Sequence, residues 1–185
     1  MARILYNGKY ATLGGKYAVG AAAPAPAFTW DLTFEGYADG VYEDTTGDYP
    51  WERMFDYYGY MEVQPSYSEG KGDYTKAFAM GGGNNYAKGN YWYSEMIDIA
   101  GLTVDVSIVF SGYGGLEPAD WVESAYSLDG GPDLQMGYTT DPEISQFTHS
   151  IQGINGASTL KLKVYYLVSF TSEWVELYQV TVNEQ

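Results

Sequence analysis

Two stretches of this chain combine flat aromatic rings with hydrogen-bonding side chains. DYPWERMFDYYGY carries Tyr49, Trp51, Tyr57, Tyr58 and Tyr60. GGGNNYAKGNYWYSE carries Asn84, Asn85, Tyr86, Asn90, Tyr91, Trp92 and Tyr93. Aromatic faces stack on sugar rings, while Asn, Asp and Tyr groups bond to sugar hydroxyls. The glycan contacts expected from these stretches are Trp51, Tyr57, Tyr58, Asn85, Tyr86, Asn90, Tyr91 and Trp92. The same residue types also fill cores and subunit interfaces, and that alternative stands beside the first.

Asp39, Glu43, Asp44 and Asp48 crowd into the loop DGVYEDTTGD. Clustered oxygens suit calcium, so this loop is the candidate metal site and calcium the one cofactor in view. Its spacing is not that of an EF-hand, and a solvated acidic loop is the alternative. Catalytic chemistry finds less support. His149 is the sole histidine, and its FTHS context lacks the Gly-x-Ser-x-Gly elbow of a serine hydrolase. A structural role on a strand is expected for it. Glu95 and Asp98 in EMIDIAG have the look of a glycosidase strand, but residues three apart on a strand face opposite sides. Gly101 stands near the position where a further Glu would be needed. With no cysteine there is no thiolate nucleophile, thiolate metal site or disulfide. The expectation is a protein that is not an enzyme, with no catalytic residue.

Twenty-four acidic residues against nine basic ones give a formal net charge of −15. So few cations cannot track a phosphate backbone, and nucleic acid and anionic membranes are excluded as partners. Only 18% of the 185 residues are charged, so Gly, Ser, Thr, Asn and Tyr must supply the polar surface. Tyr suits partly exposed β-structure. No stretch is long and apolar enough for a membrane-spanning helix. Residues 17–28, YAVGAAAPAPAF, fit a signal peptide poorly, because sixteen residues precede them and Pro24 and Pro26 interrupt them.

Three pieces follow one another along the chain. The opening repeats itself: Gly-Lys-Tyr-Ala occurs at 8–11 and at 15–18. Asn7-Gly8 and Gly14-Gly15 are two-residue hairpin turns, which predicts a three-stranded meander of Ala2–Tyr6, Lys9–Leu13 and Lys16–Gly20. So small a sheet needs something to pack on. Residues 1–20 therefore read as an attachment or oligomerisation element, with Tyr6, Tyr10, Leu13 and Tyr17 as its contacts. Residues 21–27 alternate Ala and Pro and form a semi-rigid spacer.

Residues 28–185 read as one all-β domain. TVDVSIVF places Val104, Val106, Ile108 and Phe110 on one face, and LKLKVYYLVSF does the same with Leu160, Leu162, Val164, Tyr166, Val168 and Phe170. Further strands are predicted at 28–35, 60–68, 74–80, 91–99, 121–129, 145–154 and 174–183. Turn clusters at 81–85, 112–115, 129–133 and 155–158 separate them. The only candidate for a helical turn is Pro50–Phe55. Many short strands with Gly/Pro turns mean a β-sandwich or jelly roll.

The second half also carries a resemblance. NYWYSEMIDIAGLTVDVSIVF, WVESAYSLDGGPDLQM, FTHSIQGINGASTLKLKVYYLVS and WVELYQVTV follow one another as a strand and Ile-Asp-Ile turn, a Tyr-Ser-x-Asp-Gly-Gly hairpin, a return strand and a closing strand. This order resembles the jelly-roll domains of bacterial adhesins and carbohydrate-binding-like modules. Two departures stand out. Glu176 is followed by Leu177 where those domains usually carry an acidic, calcium-linked pair, and Pro132-Asp133 replace a common Trp. The opening NGKY…GGKY resembles structural proteins of phages infecting Bacteroidota. The resemblances imply a non-enzymatic virion protein, such as a head fibre, capsid decoration or tail-associated fibre. Its expected partners are other virion proteins, a host-surface glycan and copies of itself, as a dimer or trimer. The alternative is a carbohydrate-binding or adhesin module on a bacterial surface.

Overall fold

The computed structural model describes residues 27–55, 60–82, 90–140, 142, 145–170 and 172–185, and the backbone of 3–6 and 9–12. Among these the chain is all β-strand. Among the described residues no helix is long and apolar enough to cross a membrane.

Strands β1 (Arg3–Tyr6) and β2 (Lys9–Thr12) pair antiparallel, with Tyr6 opposite Lys9 and Tyr10 opposite Leu5. They form a two-stranded sheet of their own. Leu13, the third predicted strand Lys16–Gly20 with Tyr17, and the spacer up to residue 26 lie outside the described residues.

The remaining strands are β3 (Thr29–Thr33), β4 (Trp51–Met54), β5 (Tyr60–Pro65), β6 (Lys76–Gly81), β7 (Tyr91–Ser94), β8 (Ile97–Asp98), β9 (Val104–Tyr113), β10 (Trp121–Leu128), β11 (Leu134–Thr140), β12 (Phe147–Ile154), β13 (Thr159–Leu167) and β14 (Trp174–Glu184). Sheet I runs β12-β9-β14-β6-β5, with β3 also on β14. Sheet II runs β11-β10-β13-β7-β4, with β8 also on β13. All pairings are antiparallel. This is the jelly-roll-type sandwich that the sequence predicts.

The period-two pattern explains how the two sheets meet. Val104, Val106, Ile108 and Phe110 of β9 face Leu160, Leu162, Val164 and Tyr166 of β13 across a closed core, all of them buried. The first and last strands of the domain close it together: β3 pairs with the second half of β14 and β6 with the first. Between the halves, register shifts at Leu177/Gln179. That bulge leaves Tyr178 without a ladder partner and turns its ring to the outer face, beside Glu176.

Two elements depart from the sequence reading. Trp51–Met54 is a strand, not a helical turn. Four residues cannot repay the cost of starting a helix, whereas pairing with β7 seats Trp51 fully in the core. Strand β11 is absent from the predicted strands and enters only as the return arm of the hairpin in WVESAYSLDGGPDLQM, where it pairs with β10. It is an edge strand with no fully buried residue, and of its alternating Leu134, Met136 and Tyr138 only Met136 packs against the core.

Candidate ligand-binding face

Sheet II turns every second side chain away from the core. The register sets Tyr91 of β7 beside Tyr165 of β13, Tyr165 beside Glu123 of β10, and Glu123 beside Tyr138 of β11. An aromatic band results across four neighbouring strands, spanning about 14 Å at the usual strand spacing. Tyr91 packs on Tyr165 at 5.1 Å between ring centroids and on Tyr93 at 5.6 Å. At the far end Trp121 stacks on Tyr138 at 5.7 Å, and Tyr138 is 47% exposed.

Charged groups orient these rings. The Lys161 ammonium lies 4.2 Å from the Tyr93 ring centre and that of Lys163 5.7 Å from Tyr91. Lys163 also pairs with Asp133 at 2.9 Å, and the Tyr165 hydroxyl donates to the same carboxylate at 2.6 Å. Burial, then that bond to Asp133, raises the Tyr165 pKa, so the hydroxyl keeps its proton. Tyr93 donates to Glu52 at 2.7 Å. Glu52 in turn shares a hydrogen bond with Glu95. That bond raises the Glu95 pKa and lowers that of Glu52. Carboxyls in such contact leave no room for a sugar bond between them, which needs a separation of about 5 Å or more. Ring surfaces and hydrogen-bonding groups thus stand side by side on this face.

The predicted contacts divide. Tyr91 lies on this face. Trp51 and Trp92 do not: both are fully buried, so neither can present a ring to a ligand. Alternation along β7 explains Trp92, which points inward between the outward Tyr91 and Tyr93. Trp51 sits edge-on to Phe34 and Phe78 at 5.5 and 5.0 Å. Asn90 is likewise buried and serves the interior. Tyr57, Tyr58, Asn85 and Tyr86 lie outside the described residues. Trp121, Tyr138 and Tyr165 were missed. The outward positions of the β13 pattern, Lys161, Lys163 and Tyr165 between the inward Leu160, Leu162, Val164 and Tyr166, offered the one available signal.

The acidic loop does not gather its carboxylates. Asp44 accepts the Tyr37 hydroxyl at 2.9 Å and the Thr46 and Gly47 amides at 3.0 and 2.9 Å, which folds the loop around itself. Asp39 pairs instead with Lys76 at 3.0 Å. Among the described residues no group of three or more His, Asp or Glu side chains is placed to hold a metal, so Asp39, Glu43, Asp44 and Asp48 form no calcium cage. His149 is structural, as expected. It is buried between sheets, bonded to Ser124 through Nδ1 and to Thr139 through Nε2, each at 2.8 Å.

No protein-family model matches the sequence, and no curated protein matches it. Solved structures match through the fold. A family 61 carbohydrate-binding module in complex with β-1,4-galactotriose superposes with a TM-score of 0.55 at 13% identity, over 74% of this chain and 89% of that one. The K2 cleaved adhesin domain of Lys-gingipain gives 0.55 at 14% identity, over 84% and 99%. A xylan-binding domain of carbohydrate-binding module family 22 gives 0.50 at 15% identity, over 87% and 97%. What this chain has in common with them is the fold of carbohydrate-binding modules and adhesin domains.

Proposed function

We propose that this protein is a non-catalytic, surface-displayed carbohydrate-binding or adhesin-type module, with its glycan lying along the outer face of sheet II. The aromatic band from Tyr91 to Tyr138 carries the reading. A run of about 14 Å suits a short oligosaccharide better than a single ring, with Trp121 and Tyr138 as stacking surface and Glu123, Lys161 and Lys163 as hydrogen-bonding partners. That one neighbour in fold was solved with a galactotriose and another is described as xylan-binding supports glycans as the ligand class. A glycan array followed by calorimetry tests it. Trp121→Ala should weaken binding by at least about tenfold, the loss of one well-placed contact worth about 1.4 kcal/mol. Unchanged affinity in Trp121→Ala and Tyr138→Ala would remove the face from consideration.

A second reading, attachment to a virion, rests on the N-terminal hairpin. Among the described residues β1 and β2 pair only with each other. A lone two-stranded hairpin is marginal in water, so Tyr6, Tyr10, Leu13 and Tyr17 would find their packing on a second copy or on a particle, with residues 21–27 as spacer.

A further inference from the structure

The outer face of sheet I is covered by its own loop. Residues 66–75, between β5 and β6, fold back across β14 and are fastened at both ends. Glu176, buried on that face, accepts Ser66 Oγ at 2.6 Å, the Tyr67 amide at 2.9 Å and Tyr178 Oη at 2.5 Å. Further along, Tyr74 stacks flat on Tyr178 at 4.8 Å and donates to Gln179 at 2.7 Å. Glu176 also accepts the Trp174 indole N–H at 3.1 Å. Trp174 in turn backs Tyr113, their rings stacked at 4.1 Å.

Between this strap and the ends of β9 and β14 lies a cavity of about 390 Å³, lined by Glu69, Tyr113, Gly114 and Ser172. Gly114 has φ +93°, and a Cβ there would come within 2.7 Å of the Ser172 carbonyl oxygen, so glycine is what lets this wall form. The surroundings are negative. Behind the glycine wall Glu173 is 95% buried, and its Oε2 has no hydrogen-bond partner among the described residues. Burial, then the charges of Asp120 and Glu117, push its pKa up, which marks a place short of positive charge. Lys71, on the strap itself, spends its ammonium on the Ser66 carbonyl at 3.2 Å.

We propose that this cavity is a second binding site, for an alkylammonium group, held by the Tyr113 ring and the Glu69 carboxylate. An aromatic ring and a carboxylate lining one cavity are what an organic cation requires, and a neutral sugar gains little from the carboxylate. The site lies on the opposite sheet from the glycan face and does not rest on that reading.

The test uses the full-length chain and two probes of equal shape: choline and its uncharged isostere 3,3-dimethylbutan-1-ol. Choline at millimolar concentration should shift the Trp174 indole N–H resonance saturably, with the isostere at least tenfold weaker. Glu69→Gln, at an exposed position, should cut choline affinity about tenfold without altering the melting temperature, and Tyr113→Phe should keep it. Equal shifts by both probes would mean an apolar pocket, and no shift by either would mean no site. Displacement of choline by a neutral oligosaccharide would mean a sugar pocket. Each of these outcomes overturns the proposal.

Discussion

At Trp92 and Trp121 the same residue type has opposite roles, and alternation alone decides which. Trp92 points into the sandwich, fully buried, while Trp121 lies on the outer face against Tyr138. Trp92→Ala should therefore cost about 3–5 kcal/mol of stability, seen as a lower urea midpoint, and any loss of ligand affinity would be secondary to unfolding. Trp121→Ala should leave that midpoint nearly unchanged. His149 allows a different test. Burial lowers its pKa to about 4, against about 6.5 in an unfolded chain. The unfolded state thus binds the proton between these values. The stability that comes from the neutral ring is complete above pH 6.5 and is lost as pH falls towards 4. Between pH 6.5 and 5 this amounts to about 1.5 kcal/mol. His149→Gln should flatten that part of the stability profile. Equal slopes in both proteins would show that the imidazole is not what titrates.

Strands β9 and β13 were legible in the sequence because they are long, central and buried on one face only, so their alternation is undiluted. Strand β7 was legible as a strand but not as to its faces. In Tyr91-Trp92-Tyr93 both faces are aromatic, and only the pairing of Trp92 with Val164 shows which one is inside. The aromatic face of sheet II was partly hidden for a different reason, since its members come from four strands far apart in sequence. Strand β11 was hidden because its alternating Leu134, Met136 and Tyr138 are few and Gly137 interrupts them. The glycine has a reason. A Cβ at 137 would fall 2.4 Å from His149 Cγ. That ring cannot retreat, being packed against Phe110 at 5.2 Å and Phe147 at 5.7 Å and bonded to Ser124 and Thr139. Gly137→Ala should destabilise the domain by about 1–3 kcal/mol. A measured change near zero would mean that β11 shifts away freely and that its bond to the His149 ring contributes little.

The whole molecule poses the question of what the N-terminal hairpin does for the sandwich. Two considerations pull apart. A net charge of −15 opposes self-association of the domain at low ionic strength. The hairpin carries only basic charges, Arg3 and Lys9, and among the described residues its strands pair only with each other. If its role is assembly, association should run through residues 1–20 alone and should strengthen with salt, as the acidic domains cease to repel. Light scattering on the full chain beside one starting at Phe28 separates the cases. A defined oligomer for the first and a folded monomer for the second would support an attachment element, and with it display of several glycan faces on one particle. Such display would multiply a weak affinity by avidity, because each further contact becomes intramolecular. Two monomers at every salt concentration would exclude self-assembly through the hairpin and leave a single binding face acting alone, whose affinity must then be sufficient in itself.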